Sequence, residues 1–332
     1  MTDRHILVVA HTGRDESLAA AVEVVRLLRA AGLMPVVAEE SLDDLRRASG
    51  EGEFRVLASE AGSGGIEVGE IELAIVLGGD GTILRAAELT RGGSAPLLGV
   101  NLGHVGFLAE SERDDLSSAV ARALDRDYLV EERMTLSVRV KLGTDVIFET
   151  WALNEATVEK ASRERMIEVV IEVDGRPLSS FGCDGVVMST PTGSTAYAFS
   201  AGGPVVWPSL DALLLVPLSA HALFARPLVV GPGSSLAVEV LERTQGTGVL
   251  WSDGRRAFDL PSGARVVARR SSTPVRLARL HPGPFTDRLV NKFALPVNGW
   301  RGPIEAPTTG AMPIVETGRT ATDDTQEGEA SA

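Results

Sequence analysis

Only one cysteine, Cys183, occurs in this chain of 332 residues. An internal disulfide is therefore excluded, and so is a zinc site built from several thiolates. The sequence also lacks any run of about 18 apolar residues, so we expect neither a membrane-spanning helix nor a membrane partner. Because residues 1–5 lead straight into a strand-like segment without a signal-peptide pattern, we expect the protein to be cytoplasmic.

Basic residues are in the minority: 32 lysines and arginines stand against 45 acids, a formal charge of −13. This balance argues against a surface that coats nucleic acid, and we expect no nucleic-acid partner. Part of the acidic excess lies in residues 303–332, which hold six acids and one arginine and are rich in Thr, Gly and Pro. That segment has too little apolar surface to order itself, so we predict a disordered acidic tail.

Several catalytic motifs are also absent from the sequence. Without G-x-x-x-x-G-K-[ST] the chain is not a P-loop kinase. Without G-x-G-x-x-G after the first strand, a dehydrogenase of the usual dinucleotide-binding type is not indicated. There is no H-E-x-x-H motif and no G-x-S-x-G elbow. The five histidines are scattered without ligand spacing, so we assign no metal ligands to the chain.

The first part of the chain alternates apolar runs with amphipathic segments. Strands are predicted at 6–10, 35–38, 73–77 and 97–100, and helices at 17–31, 83–89 and 116–124. Alternation of this kind is typical of a parallel sheet covered on both faces. We therefore predict an α/β N-terminal domain with a parallel sheet over residues 1–126.

From about residue 129, apolar residues recur at every second position. Strict alternation predicts strands at 136–142 and 167–173, followed by a two-residue hairpin turn at Asp174-Gly175. Further short strands are predicted at 237–241, 249–251 and 275–280, and a short closing element at 291–295. We therefore predict a second domain over residues 127–285, a mostly antiparallel β-sandwich.

The most informative motif is Gly78-Gly79-Asp80-Gly81-Thr82, which lies between the strand at 73–77 and the helix at 83–89. Glycines allow another molecule to approach the backbone closely, and a helix N-terminus attracts phosphate. An acid in such a loop would bind a metal or accept a proton, and it falls at the carboxyl end of a strand, where open parallel sheets bind ligands. Taken alone, the motif is also compatible with an ordinary turn.

Two more segments carry polar groups within the β-rich half. Asn154 and Glu155 offer an amide and a carboxylate that can hydrogen-bond a diol or an amide, although an ordinary half-exposed strand is the simpler interpretation of this pair alone. Residues 189–195 hold five hydroxyl side chains around Pro191 and Gly193, before a helix-like segment at 196–201. Helix capping explains one or two of these hydroxyls, and the surplus indicates a site lined with donors for a polar ligand.

Taken together, these segments resemble the NAD kinase family. The resemblance rests on residues 78–82, 101–108, 153–157, 184–185 with 189–200, and 221–227, in the family's order. It implies transfer of phosphate from ATP to the 2′-hydroxyl of the adenosine ribose of NAD, which gives NADP, with a divalent metal cation (Mg²⁺ or Mn²⁺). It also implies a homodimer or homotetramer, and a C-terminal segment at 286–302 that returns to the first domain.

The resemblance also assigns roles to single residues. Asp80 would accept the proton of the ribose hydroxyl, and Gly81 would lie against the dinucleotide. Asn154 and Glu155 would hold the ribose and nicotinamide region, and Asp184 the nicotinamide end. The remaining expected contacts with the dinucleotide are Arg85, Arg165, Thr195, Ala196, Tyr197 and Ser200, with Phe107 on the adenine side.

Two other functions are weighed against this one. A lipid kinase of the diacylglycerol type would share the glycine-rich loop, but the acidic surface and the absence of a basic amphipathic helix argue against it. A dinucleotide sensor without catalysis would need no base at Asp80. Whether polyphosphate can replace ATP is not decided by the sequence.

Overall fold

The computed structural model describes residues 4–50, 53–59, 64–102, 106–109, 111–112, 116–162, 165–243, 247–281 and 283–297. The tail predicted at 303–332 and residues 298–302 of the predicted returning segment lie outside these ranges, as do residues 103–105 of the segment 101–108.

Apolar runs of the N-terminal part form the centre of a mostly parallel sheet. Its strands are β1 (His5–Ala10), β2 (Val36–Val37), β3 (Arg55–Val56), β4 (Ile71–Leu77), β5 (Leu97–Asn101), β6 (Ser111–Glu112), β7 (Leu129–Arg133) and, near the C-terminus, β20 (Val275–Arg279). The order is β3-β2-β1-β4-β5-β20-β7, with β6 paired to β5. Among these strands only β7 is antiparallel to its neighbour.

Both faces of this sheet are covered. The helices of this part are α1 (Asp15–Ala30), α2 (Glu39–Ser49), α3 (Asp80–Leu89) and α4 (Leu116–Leu124). Ile6 and Val8 of β1 pack with α1 and α4 on one face, whereas Leu7 and Val9 pack with Ile83 of α3 on the other. A strand buried on both sides needs a continuous apolar run, and the first strand has one.

The remaining strands form two antiparallel six-stranded sheets within the described residues. They are β8 (Leu136–Leu142), β9 (Asp145–Ala152), β10 (Glu155–Lys160), β11 (Ile167–Val173), β12 (Arg176–Cys183), β13 (Gly185–Ser189), β14 (Leu213–Leu218), β15 (Leu228–Val230), β16 (Ser235–Val240), β17 (Gly248–Ser252), β18 (Arg256–Leu260) and β19 (Arg265–Arg270). The orders are β15-β14-β13-β10-β17-β18 and β12-β11-β16-β19-β8-β9. Alternate residues such as Val138 of one sheet and Met188 of the other share one core, as in a sandwich.

Two more helices complete the described fold: the single turn α5 (Tyr197–Ser200) and α6 (Phe285–Phe293). Short 3₁₀ turns occupy Val68–Glu70 and Thr192–Thr195. No helix in the described ranges is both long and apolar enough to cross a membrane.

The predicted fold class, an α/β part with a parallel sheet and a β-sandwich, is confirmed. Several elements also have the predicted bounds, among them α4, β8 and β11. The turn after β11 has the predicted geometry, since Asp174 and Gly175 have φ of +52° and +73°, as a two-residue hairpin of this kind requires.

One prediction about the C-terminal part is wrong, and the bounds of another differ from those observed. The strand predicted at 275–280 exists, but it lies in the first sheet, parallel to β5 and antiparallel to β7, and not in the sandwich. Its period of two matches either sheet, and only the packing of Leu277 against the first core decides between them. The closing element predicted at 291–295 is the end of a helix that starts at Phe285.

Candidate active site

The glycine-rich turn joins β4 to α3 at the carboxyl edge of the first sheet. Gly78 has φ of +145°, and a Cβ there would lie 2.5 Å from Oγ1 of Thr82. Only glycine fits this position without strain. A Cβ on Gly79 or Gly81 would meet no protein atom within 4 Å, so the space beside these two residues is open.

That open space is a cavity of about 430 Å³ between the carboxyl end of β1 and the N-terminus of α3. Its walls are Ala10, His11, Arg14, Gly79, Gly81, Thr82, Arg85 and Arg255. Three arginines beside a glycine-rich helix start offer both charge and backbone donors to an anion. Arg85 forms an ion pair with Glu40, and its Nη1 lies 3.7 Å from Glu88 Oε2. The Nε of Arg255 donates to the same Glu88 carboxylate.

Asp80 lies between the two open glycines, and its carboxylate faces the loop after β5. The backbone N–H groups of Phe107 and Leu108 donate to it over 3.2 and 3.0 Å. A Cβ on Gly106 would lie 2.6 Å from Oδ1 of Asp80, so glycine leaves room for this contact. A carboxylate has about four lone-pair positions. Two N–H donors therefore orient Asp80 and leave capacity for a substrate hydroxyl.

Phe107, expected on the adenine side, is only 7% exposed. Its ring centroid lies 5.9 Å from that of Phe285 and 5.8 Å from that of Phe293, both on α6. Its carbonyl accepts from Arg288 at 2.8 Å. The aromatic ring therefore anchors the C-terminal helix, while the backbone of the same residue holds Asp80.

Asn154 and Glu155 lie where the chain passes from β9 to β10. Both side chains are buried, at 8% and 6% exposure. The backbone N–H groups of Leu153, Asn154 and Glu155 donate to the carboxylate of Asp253 over 2.9, 2.7 and 3.3 Å. This short segment is thus held by a side chain about a hundred residues further along the chain.

The hydroxyl-rich segment packs directly against this pair. The N–H of Thr190 donates to the carbonyl of Asn154 at 2.9 Å, and the N–H of Tyr197 donates to the carboxylate of Glu155. Thr195 and Ala196 lie between these two contacts along the chain. The structure therefore brings five predicted site residues together: Asn154, Glu155, Thr195, Ala196 and Tyr197.

The interpretation of the five hydroxyls as ligand donors is contradicted for four of them, because their protons are already donated within the protein. Four of the five bond to backbone carbonyls: Ser189 to Asn154, Thr190 to Leu153, Ser194 to Pro191 and Val206, and Thr195 to Thr192. A buried loop without sheet partners must satisfy its carbonyls locally, and these hydroxyls do so. They shape the loop instead of lining a pocket.

The other predicted residues lie around this group. Asp184 follows β12 and forms an ion pair with Lys160 over 2.6 Å, which lowers the pKa of Asp184. The hydroxyl of Tyr197 bonds to Glu159, the neighbour of Lys160. Arg165 is exposed and lies two residues before Ile167. Ile167 pairs with Cys183, the residue before Asp184, so Arg165 lies near the strand end that carries Asp184. Ser200 is exposed at the last position of α5.

Glu155 is the titratable group with the most perturbed environment in this segment. Its pKa is raised to about 8, mainly by burial and further by the negative charge of Asp253, while the N–H of Tyr197 acts in the opposite direction. Burial also raises the pKa of Asp253, against which its three N–H donors and Arg256 act. A neutral Glu155 at pH 7 can donate as well as accept a hydrogen bond.

This environment predicts a pH-dependent stability that Glu155→Gln removes. The folded protein keeps a proton on Glu155 that the unfolded chain releases near its ordinary pKa of about 4.3. Stability therefore falls as pH rises from that value towards 8, and the loss remains above it. We expect the thermal unfolding midpoints of variant and wild type to be similar at pH 5. At pH 9 the variant should be higher, by about 5 °C.

The control is Glu16→Gln, at an exposed position in the first turn of α1. The thermal unfolding midpoint of this variant should fall between pH 5 and pH 9 by as much as that of the wild type. An equally steep fall in Glu155→Gln would contradict the assignment of this proton to Glu155.

The two groups of predicted residues are linked through α3. Leu153 belongs to the same buried cluster as Ile83 of that helix. Glu88, near the end of α3, contacts Nε of Arg256 at 3.2 Å, and Nη2 of Arg256 contacts Asp253 at 2.8 Å. The cation-lined cavity and the segment around Asn154 are therefore parts of one assembly.

Some residues of this assembly were not found from the sequence. His11, Arg14, Arg255 and Asp253 line the cavity or hold the Asn154 segment. The pair Asp253-Gly254 is a turn signal after the predicted strand at 249–251, but nothing local shows which backbone its carboxylate would meet. Arg14 and Arg255 come together only through the fold.

A second cavity, of about 670 Å³, lies elsewhere, between β7 and the start of α6. Its walls include the apolar Leu129, Val130, Trp207 and Phe285, and none of the predicted site residues. The smaller cavity, where cations and a glycine-rich turn meet, is therefore the candidate site.

Fold and cavity define a two-part α/β and β-sandwich protein with an arginine-lined cavity beside a glycine-rich turn at its sheet edge. Comparison with known families agrees. The model of the ATP-NAD kinase N-terminal domain matches residues 6–128, and that of the ATP-NAD kinase C-terminal domain matches residues 153–280.

Similar whole proteins support the same family. The NAD kinase of Leifsonia xyli subsp. xyli is 73% identical over 301 residues, covering 90% of this chain and 97% of its own. The NAD kinase of Thermobifida fusca is 58% identical over 306 residues, covering 91% and 92%. The chain belongs to the NAD kinase family.

Solved structures share the fold. The crystal structure of yeast NADH kinase complexed with NADH superposes with a TM-score of 0.78 at 20% identity, over 89% of each chain. That of an NAD kinase from Archaeoglobus fulgidus in complex with ATP has a TM-score of 0.61 at 25% identity, over 88% of this chain and 97% of that one. Membership of the NAD kinase family, shown by the family models and the similar whole proteins, disfavours the lipid kinase alternative.

Proposed function

We propose that this chain transfers the γ-phosphate of ATP to the 2′-hydroxyl of the adenosine ribose of NAD⁺, producing NADP⁺ and ADP. The observation that carries the proposal is the placement of Asp80. Asp80 is the first residue of α3, and two backbone N–H groups orient its carboxylate. The glycine-rich turn before and around Asp80 borders a cavity lined by arginines. Family membership and the names of relatives, NAD kinases at up to 73% identity, support it.

The donor side is the 430 Å³ cavity. Arg14 and Arg255 would neutralise the phosphates of ATP, and the open Gly79 would let them approach the backbone. Among the described residues no cluster of three or more His, Cys, Asp or Glu could hold a metal ion. Mg²⁺ usually binds through one or two carboxylates together with substrate phosphates and water. The described wall of the cavity contains no carboxylate, so we propose that Mg²⁺ or Mn²⁺ would be held mainly by the phosphates of ATP and by water, and would neutralise phosphate charge.

The acceptor side is the segment around Asn154 and Glu155. Both side chains are buried beside Thr195, Ala196 and Tyr197, and can hydrogen-bond ribose hydroxyls and the nicotinamide amide. We propose that Asp184, Arg165 and Ser200 contact the outer parts of the dinucleotide. Gly81 would contact it from α3, as would Arg85, and Phe107 would border its adenine.

In this arrangement Asp80 acts as proton acceptor. A carboxylate is a weak base towards a sugar hydroxyl, and phosphoryl transfer passes through a loose transition state in which the nucleophile gains little charge early. Asp80 therefore aligns the 2′-hydroxyl first and takes its proton late. Backbone N–H groups of the turn and the arginines stabilise the phosphate charge.

The deciding experiment mixes the purified protein with ATP, Mg²⁺ and NAD⁺. NADP⁺ is then measured with an NADP-specific dehydrogenase. We expect NADP⁺ to form from NAD⁺ but no product from an analogue whose adenosine ribose lacks the 2′-hydroxyl. If no NADP⁺ forms while NAD⁺ binds, the chain is a dinucleotide sensor. Inorganic polyphosphate in place of ATP tests the second donor.

Asn154→Ala should mainly weaken NAD⁺ binding. It removes contacts present in both ground and transition states, which raises KM for NAD⁺ more than it lowers kcat. We expect a rise of about ten-fold or more, the loss of one or two hydrogen bonds in a buried site. The control Asn291→Ala, at an exposed position of α6, should leave KM unchanged. An unchanged KM in Asn154→Ala would contradict the assignment.

We also propose a cytoplasmic homodimer or homotetramer. Leu223 and Phe224 are 112% and 52% exposed, and His221 in the same segment pairs with Gly182 beside Asp184. An exposed apolar patch next to a substrate contact favours a second copy of the chain at this place. Sedimentation equilibrium of the wild type and of Leu223→Glu tests it, since a monomer in both would contradict the proposal.

A further inference from the structure

We propose that Asp253 is a positioning residue of the acceptor site, which holds the backbone of residues 153–155 so that Asn154 and Glu155 meet the dinucleotide. This inference rests on the proposed function, because it takes these two residues to be the contacts for NAD⁺. It adds a role for a turn residue that no sequence motif pointed to.

The contacts are reciprocal. The Asp253 carboxylate accepts the N–H groups of Leu153, Asn154 and Glu155 over 2.9, 2.7 and 3.3 Å. In return, the N–H of Asp253 donates to the carbonyl of Glu155 at 2.9 Å. Asp253 is only 6% exposed, so these hydrogen bonds are shielded from water, and this shielding strengthens them.

The place explains why a charged side chain is needed. β9 belongs to one sheet of the sandwich and β10 to the other, so the chain changes sheets at Leu153 and Asn154. Ladder hydrogen bonds end at such a crossing, and buried N–H groups must find other acceptors. One carboxylate can accept several N–H groups and fix their mutual orientation.

The charge of Asp253 is balanced through a network that reaches the catalytic helix. Nη2 of Arg256 lies 2.8 Å from Asp253, and its guanidinium stacks on Trp151 at 4.5 Å, with Arg91 at 4.1 Å on the same ring. Nε of Arg256 contacts Glu88 of α3 at 3.2 Å. Since α3 begins at Asp80, the same turn holds the acceptor segment next to the helix that carries the base.

The chain contains a matched turn for comparison. Asp174-Gly175 has φ of +52° and +73°, close to the +53° and +63° of Asp253-Gly254. The Asp174 carboxylate also accepts a backbone N–H, from Ser235 at 2.8 Å, and a hydroxyl from Ser234 at 3.2 Å. It lies at the exposed β11–β12 hairpin and touches none of the proposed substrate contacts, so Asp174→Asn makes the same replacement in the same turn type away from the acceptor site.

The test compares Asp253→Asn with Asp174→Asn by isothermal titration calorimetry with NAD⁺ and, separately, with ATP. Asparagine has nearly the same size as aspartate, but its side-chain NH₂ group cannot accept hydrogen bonds from the backbone N–H groups. We expect the Kd for NAD⁺ to rise at least about ten-fold in Asp253→Asn, the usual loss for hydrogen bonds to a charged group. The Kd for ATP should stay within about two-fold, since donor contacts lie on other residues. Asp174→Asn should leave both within about two-fold of the wild type.

Arg256→Met provides a second variant if Asp253→Asn folds poorly. It keeps the carboxylate and removes its counter-charge, and should raise the Kd for NAD⁺ in the same direction, by about three- to ten-fold. A rise of both Kd values together, or of neither, in the variants of Asp253 and Arg256 would overturn the positioning role. Wild-type protein that binds NAD⁺ but forms no NADP⁺ would refute the proposed function and leave this comparison valid. Wild type that binds no NAD⁺ would overturn both.

Discussion

Asp80→Asn is expected to lower kcat for NADP⁺ formation by a factor of about 10²–10⁴, the usual worth of a positioned acid–base group. Asparagine cannot take the proton of the ribose hydroxyl, although its amide oxygen can still accept one of the N–H bonds from Phe107 and Leu108. The Kd for NAD⁺ should change far less, because most proposed contacts lie on the sandwich side. Steady-state kinetics with calorimetric binding of NAD⁺ measures both effects.

Asp43→Asn is the matched control for this prediction. It makes the same replacement on the exposed face of α2, where the Asp43 side chain is 88% exposed. It should leave kcat unchanged. The thermal midpoint of Asp80→Asn should also be recorded, because its amide NH₂ faces backbone donors. A kcat close to that of the wild type in Asp80→Asn would rule out the proton-acceptor role.

Gly193→Ala is expected to damage both stability and NAD⁺ binding. A Cβ at this position would lie 2.2 Å from the carbonyl oxygen and 2.5 Å from the carbonyl carbon of Asn154. Backbone atoms cannot rotate away, so either the 3₁₀ turn or Asn154 must move. Overpacking of this kind costs about 1–3 kcal/mol or more, which corresponds to a fall of about 2–10 °C in Tm. The Kd for NAD⁺ should rise about ten-fold, since Asn154 is displaced.

The comparison variant is Gly231→Ala, in the loop between β15 and β16. A Cβ there meets no atom within 4 Å, and Gly231 is not among the glycines with positive φ. Differential scanning calorimetry and NAD⁺ titration of this variant should match the wild type. A Gly193→Ala protein with unchanged Tm and Kd would contradict the tight packing of the turn on Asn154.

Local patterns in the sequence were sufficient for much of the fold. β1 and β4 follow from apolar runs, β8 and β11 from strict alternation, and the hairpin turn from Asp174-Gly175. The glycine-rich turn at Asp80 was equally accessible, because strand, turn and helix follow one another within a few residues. Each of these features depends on neighbours in sequence, so its signal is complete in a short window.

Contacts between distant residues were not accessible in this way. The strand at Val275–Arg279 pairs in the first sheet, although its alternation would fit the sandwich equally well. The hydroxyls of Ser189 and Ser194 looked like ligand donors, yet they satisfy carbonyls of their own and a neighbouring loop. Composition shows how many polar groups a segment has, but not which partners the fold supplies.

The sequence alone determined the family and the two-part architecture, and it indicated Asp80 as the candidate base, because short segments of the chain carry each of these signals. Only the tertiary structure decided how the acceptor segment is held. Asp253 and Asn154 are 99 residues apart in the chain and 2.7 Å apart across one hydrogen bond. Arg255 and Glu88, 167 residues apart, are likewise joined by one contact. Such contacts form only when the sheets pack together, and the pattern of residues within either segment does not indicate them.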